Sequence, residues 1–564
     1  MSGTRKTAQS LVIGVSNFGN WWVKRSDSAP DTLVITLSGN VVEDIYLSGW
    51  MVKLLPSPPV SMSRILSAID NATDSEHIKL LVIKVKNHDM GWGKCWEIFE
   101  AIKKFRAAGK KALCYLEEPE NNDTLIASAC DKAIMPPGTP LYLTGLISEV
   151  MYFKDVMEKL EIEPELFQAG KFKSAIEPYT RSGMSDEHRE SVTALLDSIF
   201  ERWVAALAAA RDMTSEKVKE LIDRGPWISE EAKEAGLIDD VMYDDQLDEY
   251  IEKWTGTEPT TTGVERFMKM YGPRPGAGDP WKKEHVLALI TAAGPIHGGE
   301  SKYYGPGDTT VGCDTLRNAI RNAREDDAIA AAVLRVDSPG GSAVHSDLIW
   351  REVEKLAEAK PVVVSMADVA ASGGYYIAMP AHHIVASPTT ITGSIGVIGG
   401  KINLQGLYNK IGINKERVTR GAHAEIATDY GALTDELREK IRNEMNTVYR
   451  TFVEKAARSR KQEYDELEKK AQGRVWTGEQ ALSAGLVDET GNLLTAIRRA
   501  KERAGIPVSR KIPVATMPRI KKFGLPVPFN LPGRSLKGMN RALSYAEIAD
   551  YPLLALMPYL VKIL

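Results

Sequence analysis

Val82-Ile83-Lys84-Val85 recurs as Val333-Leu334-Arg335-Val336, and Lys159-Leu160-Glu161-Ile162 recurs as Lys410-Ile411-Gly412-Ile413, both at a spacing of 251 residues. Farther on, Trp227-Ile228-Ser229-Glu230-Glu231-Ala232 with Ala235-Gly236-Leu237-Ile238-Asp239 recurs as Trp476-Thr477-Gly478-Glu479-Gln480-Ala481 with Ala484-Gly485-Leu486-Val487-Asp488, at a spacing of 249. Matches at so constant an offset mark a duplicated unit, so whatever fold one copy adopts, the other adopts too.

Working outward from these stretches, each copy follows one grammar. A β-rich opening (32–37; 286–290) leads to an amphipathic helix (65–72; 315–323), a buried-type strand (80–85; 330–336) and a charged helix (96–108; 346–357). Another strand (111–116; 361–366), a Gly/Pro/Thr-rich segment and a long helix (186–210; 434–457) follow. Short apolar runs alternating with helical patterns predict βαβ units, hence an α/β fold with largely parallel sheets covered by helices. The expected division is an N-terminal extension (1–30), a first repeat (31–254), a linker (255–282), a second repeat (283–505) and a C-terminal arm (506–564).

At 564 residues the chain is too long for one core, and its composition, 43% hydrophobic and 26% charged, is that of a globular protein. A net charge of -4 gives no general attraction for nucleic acid or anionic membrane. Cys95, Cys114, Cys130 and Cys313 form neither CxxC pairs nor a Cys/His cluster, so no metal, cofactor or disulfide framework is implied. The apolar stretch 11–15 is too short for a signal-peptide core, and no apolar run reaches membrane-spanning length. The apolar tail 552–564, broken by prolines, reads at most as a docking or interfacial segment. These features suit a bacterial protein lying against a membrane without crossing it, or one soluble in the cytoplasm.

The chemistry lies where the two copies differ. The second copy carries Asp337-Ser338-Pro339-Gly340-Gly341-Ser342 after a strand, a glycine turn whose N–H groups could form an oxyanion hole. Its next strand runs into Ala370-Ala371-Ser372-Gly373-Gly374-Tyr375, which leaves the Ser372 hydroxyl accessible and the Gly373 N–H available as a second donor. Ser394 follows in Thr390-Ile391-Thr392-Gly393-Ser394-Ile395-Gly396. In the first copy Gly340 and Gly341 map to Asp89 and Met90, Ser372 to about Asn121, and Ser394 to Leu146. Conversely, Lys173, in Gly170-Lys171-Phe172-Lys173-Ser174-Ala175-Ile176-Glu177-Pro178, faces Ala424 of the second copy. One copy keeps a serine and the other a lysine, which points to a composite site.

These motifs resemble the signal peptide peptidase A family in its long, tandem-repeat form, and the resemblance covers residues from about 31 to 505. It implies a ClpP/crotonase-type fold, Ser372 as nucleophile, Lys173 as general base, Ser394 as the hydroxyl holding the amine, and the Gly340 and Gly373 N–H groups as oxyanion hole. It also implies hydrophobic peptide substrates such as remnant signal peptides, a homotetramer, and often a membrane-spanning N-terminal anchor, for which no counterpart is read here. An extended peptide bound as an added strand, with small or aliphatic residues before the cleaved bond, is the expected substrate mode. Lys171 is the rival base. A Ser–His–Asp arrangement through Asp337 and His345 (or His382), and a non-catalytic crotonase-like scaffold, are the alternatives.

Overall fold

The computed structural model describes residues 29–44, 59–272, 285–305, 307–518 and 553–557. Nearly all of the N-terminal extension, part of the linker and most of the C-terminal arm therefore lie outside the described residues. The chain divides into two compact units: Met1–Gly145 with Arg202–Ala277, and Leu146–Glu201 with Gly278–Leu564. Segment Leu146–Glu201, first-copy by sequence, thus clusters with the second copy.

The first unit is built on a six-stranded sheet, in spatial order Asp240–Val241, Lys132–Met135, Lys111–Leu116, Leu80–His88, Thr32–Gly39 and Thr261–Gly263. Every pairing in it is parallel. Helices Met62–Asp74 and Trp92–Ala107 pack on it, and Leu80 to Val85 are buried throughout, as a strand covered on both faces requires. The segment read as linker contributes the edge strand Thr261–Gly263 and the helix Val264–Tyr271, because Thr261 and Thr262 complete the ladder beside Thr32 and Leu33.

The second unit repeats the plan. Strands Val475–Thr477, Ile391–Gly393, Val362–Ala371, Ile329–Ser338, Val286–Ala293 and Val514–Met517 lie side by side, with His383–Ala386 and Glu489–Thr490 off that path. All of these pairings are parallel except that of Ile391–Gly393 with Val475–Thr477. Helix Cys313–Glu325 buries Leu316, Ala319, Ile320 and Ala323, the apolar stripe that a 3.6-residue period provides. The α/β class with largely parallel, helix-covered sheets is as expected from the sequence.

A further sheet of this unit positions the site. Its order is Val311–Gly312, Ile296–His297, Gly340–Ser342, Leu553–Leu556, Val397–Asn403 and Glu163–Ala169. Strand Glu163–Ala169 runs antiparallel to Val397–Asn403 and ends with Ala169 opposite Val397, so the chain turns at Gly170 beside the Ser394 segment. Residues 553–557 of the apolar tail, read as a docking or interfacial segment, include a sheet strand. Among the described residues no helix is long and apolar enough to cross a membrane.

Candidate active site

Strand Val362–Ala371 delivers Ser372 to the start of helix Gly373–Ala378. Ser372 has φ 54° and ψ -113°, a backbone state that L-residues rarely adopt, and its N–H donates to the Gly393 carbonyl at 2.8 Å. Ser394 also has a positive φ, 51°, with its N–H bound to the Arg474 carbonyl at 2.7 Å. Two serines held in strained backbone by surrounding hydrogen bonds are a mark of a functional locus.

Lys173 comes to these serines from the turn after Ala169. Its own N–H bonds Gly170 O at 3.1 Å, the neighbouring Phe172 N–H bonds Gln472 O at 2.8 Å, and the 3-10 turn Ser174–Ile176 follows. The side chain is 0% exposed. Its Nζ lies 2.7 Å from Ser372 Oγ, 2.9 Å from Ser394 Oγ and 2.9 Å from Ser394 O. Burial pushes its pKa well below the ordinary lysine value of 10.5, because the charged form is the one that loses hydration. Lys171 is exposed, its ammonium 4.9 Å from the Phe172 ring centroid, and it makes no bond to either serine. Residues 171–173 form a turn, so alternation along a strand does not govern which lysine points inward.

The glycine turn meets Ser372 from the other side. A Cβ built on Gly340 would fall 2.6 Å from the Gly373 amide nitrogen, so the two backbones touch. Gly373 opens its helix, where an N–H has no intrahelical partner. The Gly340 N–H here donates to Ser338 Oγ at 3.2 Å, and that hydroxyl donates to Gly294 O at 2.6 Å.

No histidine among the described residues takes the place of the lysine. His345 Nδ1 pairs with Ser342 Oγ at 2.8 Å, His382 Nδ1 accepts from the Val362 N–H at 3.2 Å, His383 bonds Glu489, and the half-buried His423 lies beside Lys440. Asp337 accepts from the Val369 N–H at 3.2 Å. In the first unit, the position equivalent to Ser372 does structural work: Asn121 binds Gly145 O at 2.8 Å and the Thr144 N–H at 3.0 Å, stapling a loop.

The sequence reading missed several supports. Gly396 and Gly473 leave room for the lysine stem: a Cβ on Gly396 would meet Lys173 Cδ at 3.0 Å, and one on Gly473 would meet Lys173 Cβ at 2.5 Å. Behind the lysine turn, Glu177 accepts from the Ser185 N–H at 3.0 Å and lies 3.1 Å from His188 Nδ1. Burial alone would raise the Glu177 pKa, but bonds from His188 and Ser185 hold it below the usual carboxylate value. The only available signal was Glu177 within the lysine motif; nothing in the spacing pointed to His188.

The model of peptidase family S49 matches the chain twice, over residues 104–256 and 354–507. The chain is 36% identical to the chloroplastic serine protease SPPA of Arabidopsis thaliana, over 91% of this chain and 74% of that protein. It is 32% identical to Protease 4 of Salmonella typhi, over 79% of this chain and 72% of that one, and 29% identical to Protease 4 of Haemophilus influenzae, over 78% and 73%. With the family's domain present in tandem, this chain belongs to peptidase family S49 and is a serine peptidase of the SppA and Protease 4 type.

Proposed function

We propose that the chain is an endopeptidase cleaving extended apolar peptides, remnant signal peptides among them, through an acyl-enzyme formed on Ser372 with Lys173 as general base. The observation that carries this reading is a fully buried amine 2.7 Å from the Ser372 hydroxyl. A lysine can accept a proton only when neutral, and burial favours the neutral form. Lys173 Nζ takes the Oγ proton as Oγ attacks the peptide carbonyl carbon, then hands it to the departing nitrogen. A water molecule, deprotonated by the same amine, releases the acyl group. Ser394 supports the reading by fixing the amine through two oxygens. The developing oxyanion is received at the glycine turn, by the N–H groups of Gly340 and Gly373. Rotation of Ser338 Oγ off the Gly340 N–H would complete that pair of donors.

The buried apolar residues Val397 and Ile398, just after Gly396, and Ala343, just after the glycine turn, support a preference for apolar peptides over charged ones. A homotetramer is part of the proposal, supported by exposed apolar residues such as Met151, Ile411 and Val418. So is peripheral contact with a membrane in a bacterial cell. The testing experiment is hydrolysis of a fluorogenic apolar peptide by wild type, Ser372→Ala, Lys173→Ala and His345→Ala. Background rates for the first two variants with a retained rate for the third support the reading, and an active Lys173→Ala variant overturns it.

A further inference from the structure

The first unit contains a cavity walled by Leu116, Leu141, Leu143, Leu207 and Val218, and lined also by Thr124 and Ser128 of helix Asn121–Ser128. Arg211, Met213 and Leu237, each half-buried, stand at its outer edge. The duplicated unit shows what this space is shaped to hold. At the spacing of 251, Thr124 and Ser128 correspond to Tyr375 and Met379; at 249, Val218 and Leu237 correspond to Leu467 and Leu486. In the second unit Tyr375 and Met379 are fully buried in one cluster with Leu467, Leu486 and Val487. The Tyr375 hydroxyl donates to the Leu486 carbonyl at 2.9 Å.

The frame around the two positions is the same in both units. The Leu237 N–H bonds Ala232 O at 2.8 Å, as the Leu486 N–H bonds Ala481 O at 2.8 Å. The Met213 N–H bonds Ala208 O at 3.0 Å, as the Gln462 N–H bonds Ala457 O at 3.0 Å. Arg211 pairs with Asp239, as Arg460 pairs with Asp488. Within this retained frame, small residues stand where the second unit has a phenol ring and a thioether chain. Surroundings that relax only partly leave the volume of such missing groups open. The two remaining hydroxyls are taken by close neighbours. Thr124 Oγ1 donates to Asn121 O at 2.5 Å and accepts from Trp203 Nε1 at 2.9 Å, and Ser128 Oγ donates to Leu125 O at 2.7 Å. An apolar cavity of this kind stays dry and takes up a small aromatic molecule.

We infer that this cavity is a binding site for a small neutral phenol. The ring takes the place that the Tyr375 ring fills in the second unit, and the hydroxyl donates to the Leu237 carbonyl. Neutrality follows from the rim: Arg211 is held by Asp239 at 2.8 Å, and Lys132 also reaches Asp239 at 3.3 Å. An anionic ligand would have to displace that carboxylate from the guanidinium. A plain hydrocarbon ring suits the walls and lacks the donor for the carbonyl. The site is separate from Ser372 and Lys173 and does not rest on their roles.

The test is calorimetric titration of the full-length protein with p-cresol, toluene and 4-hydroxybenzoate. Ser128→Met and Thr124→Tyr, which restore the second unit's residues, are titrated in parallel. The expected result is saturable one-to-one binding of p-cresol, roughly 2- to 10-fold tighter than toluene, the worth of one neutral hydrogen bond. 4-Hydroxybenzoate should bind more weakly than p-cresol, and each variant should lose p-cresol affinity by about tenfold or more. Thr124→Tyr gives up the bond from Trp203, so it is read only where its thermal melt stays cooperative. Ser128→Met gives up only a bond to Leu125 O, and it decides the matter alone. Absence of saturable p-cresol binding to the folded wild type, equal p-cresol affinity in Ser128→Met, or toluene or 4-hydroxybenzoate binding as tightly as p-cresol would each overturn the inference.

Discussion

Gly473 and Lys173 are packed with no space for a side chain between them: at φ +76°, a Cβ on Gly473 would stand 2.5 Å from Lys173 Cβ and 2.7 Å from its Cα. The lysine is therefore positioned from behind by backbone of the second copy, as well as from ahead by the two serines.

Gly473→Ala should push the lysine turn away and adds left-handed strain of about 1–2 kcal/mol. A displacement near 1 Å costs roughly 100-fold in rate when geometry is the catalyst. The expected outcome is a fall in kcat of that order with little change in KM, checked by steady-state kinetics alongside a thermal melt.

Ser394→Ala removes one of the two Ser394 oxygens on the amine and leaves the carbonyl in place. A hydrogen bond to a charged or strongly polarised group is worth about 1.5–3 kcal/mol, so activity should fall roughly 10- to 100-fold and not to background. Ser394→Thr, which keeps a hydroxyl, should recover part of the loss if its extra methyl is accommodated.

Lys173→Met keeps the stem and discards the ionisable head. Because the folded pKa of Lys173 lies below 10.5, the unfolded chain binds more protons than the folded one between that lowered pKa and 10.5. Wild-type stability should therefore rise with pH across that window, and the advantage of Lys173→Met should be largest below it and shrink through it. Melting temperatures of both proteins from neutral pH upward check the sign.

Much of this was legible in the sequence. The repeats predicted the parallel α/β plan because strands buried on both faces read as near-continuous apolar runs, as 80–85 and 330–336 do apart from Lys84 and Arg335. Ser372 and Lys173 stood out because each copy lacks what the other keeps, and packing alone gives no reason for that. What stayed hidden depends on distant register. Leu553-Leu554-Ala555-Leu556 is a short apolar run that reads equally well as strand, helix or interfacial tail, and only Gly340–Ser342 and Val397–Asn403 make it a strand. Thr261-Thr262-Gly263 looked like linker, since an edge strand needs little more than a ladder to join. The Glu177–His188 pair is joined across a turn whose geometry no periodicity encodes.

The proposed mechanism depends above all on activation of the Ser372 hydroxyl by a neutral Lys173. The most direct measurement is the rate of fluorophosphonate labelling at Ser372, read by peptide mass spectrometry across pH, in wild type and Lys173→Ala. Labelling of wild type should rise with a single ionisation well below 10.5 and be abolished in the variant. Equal labelling of Ser372 in Lys173→Ala, or labelling of another serine in its place, would contradict it.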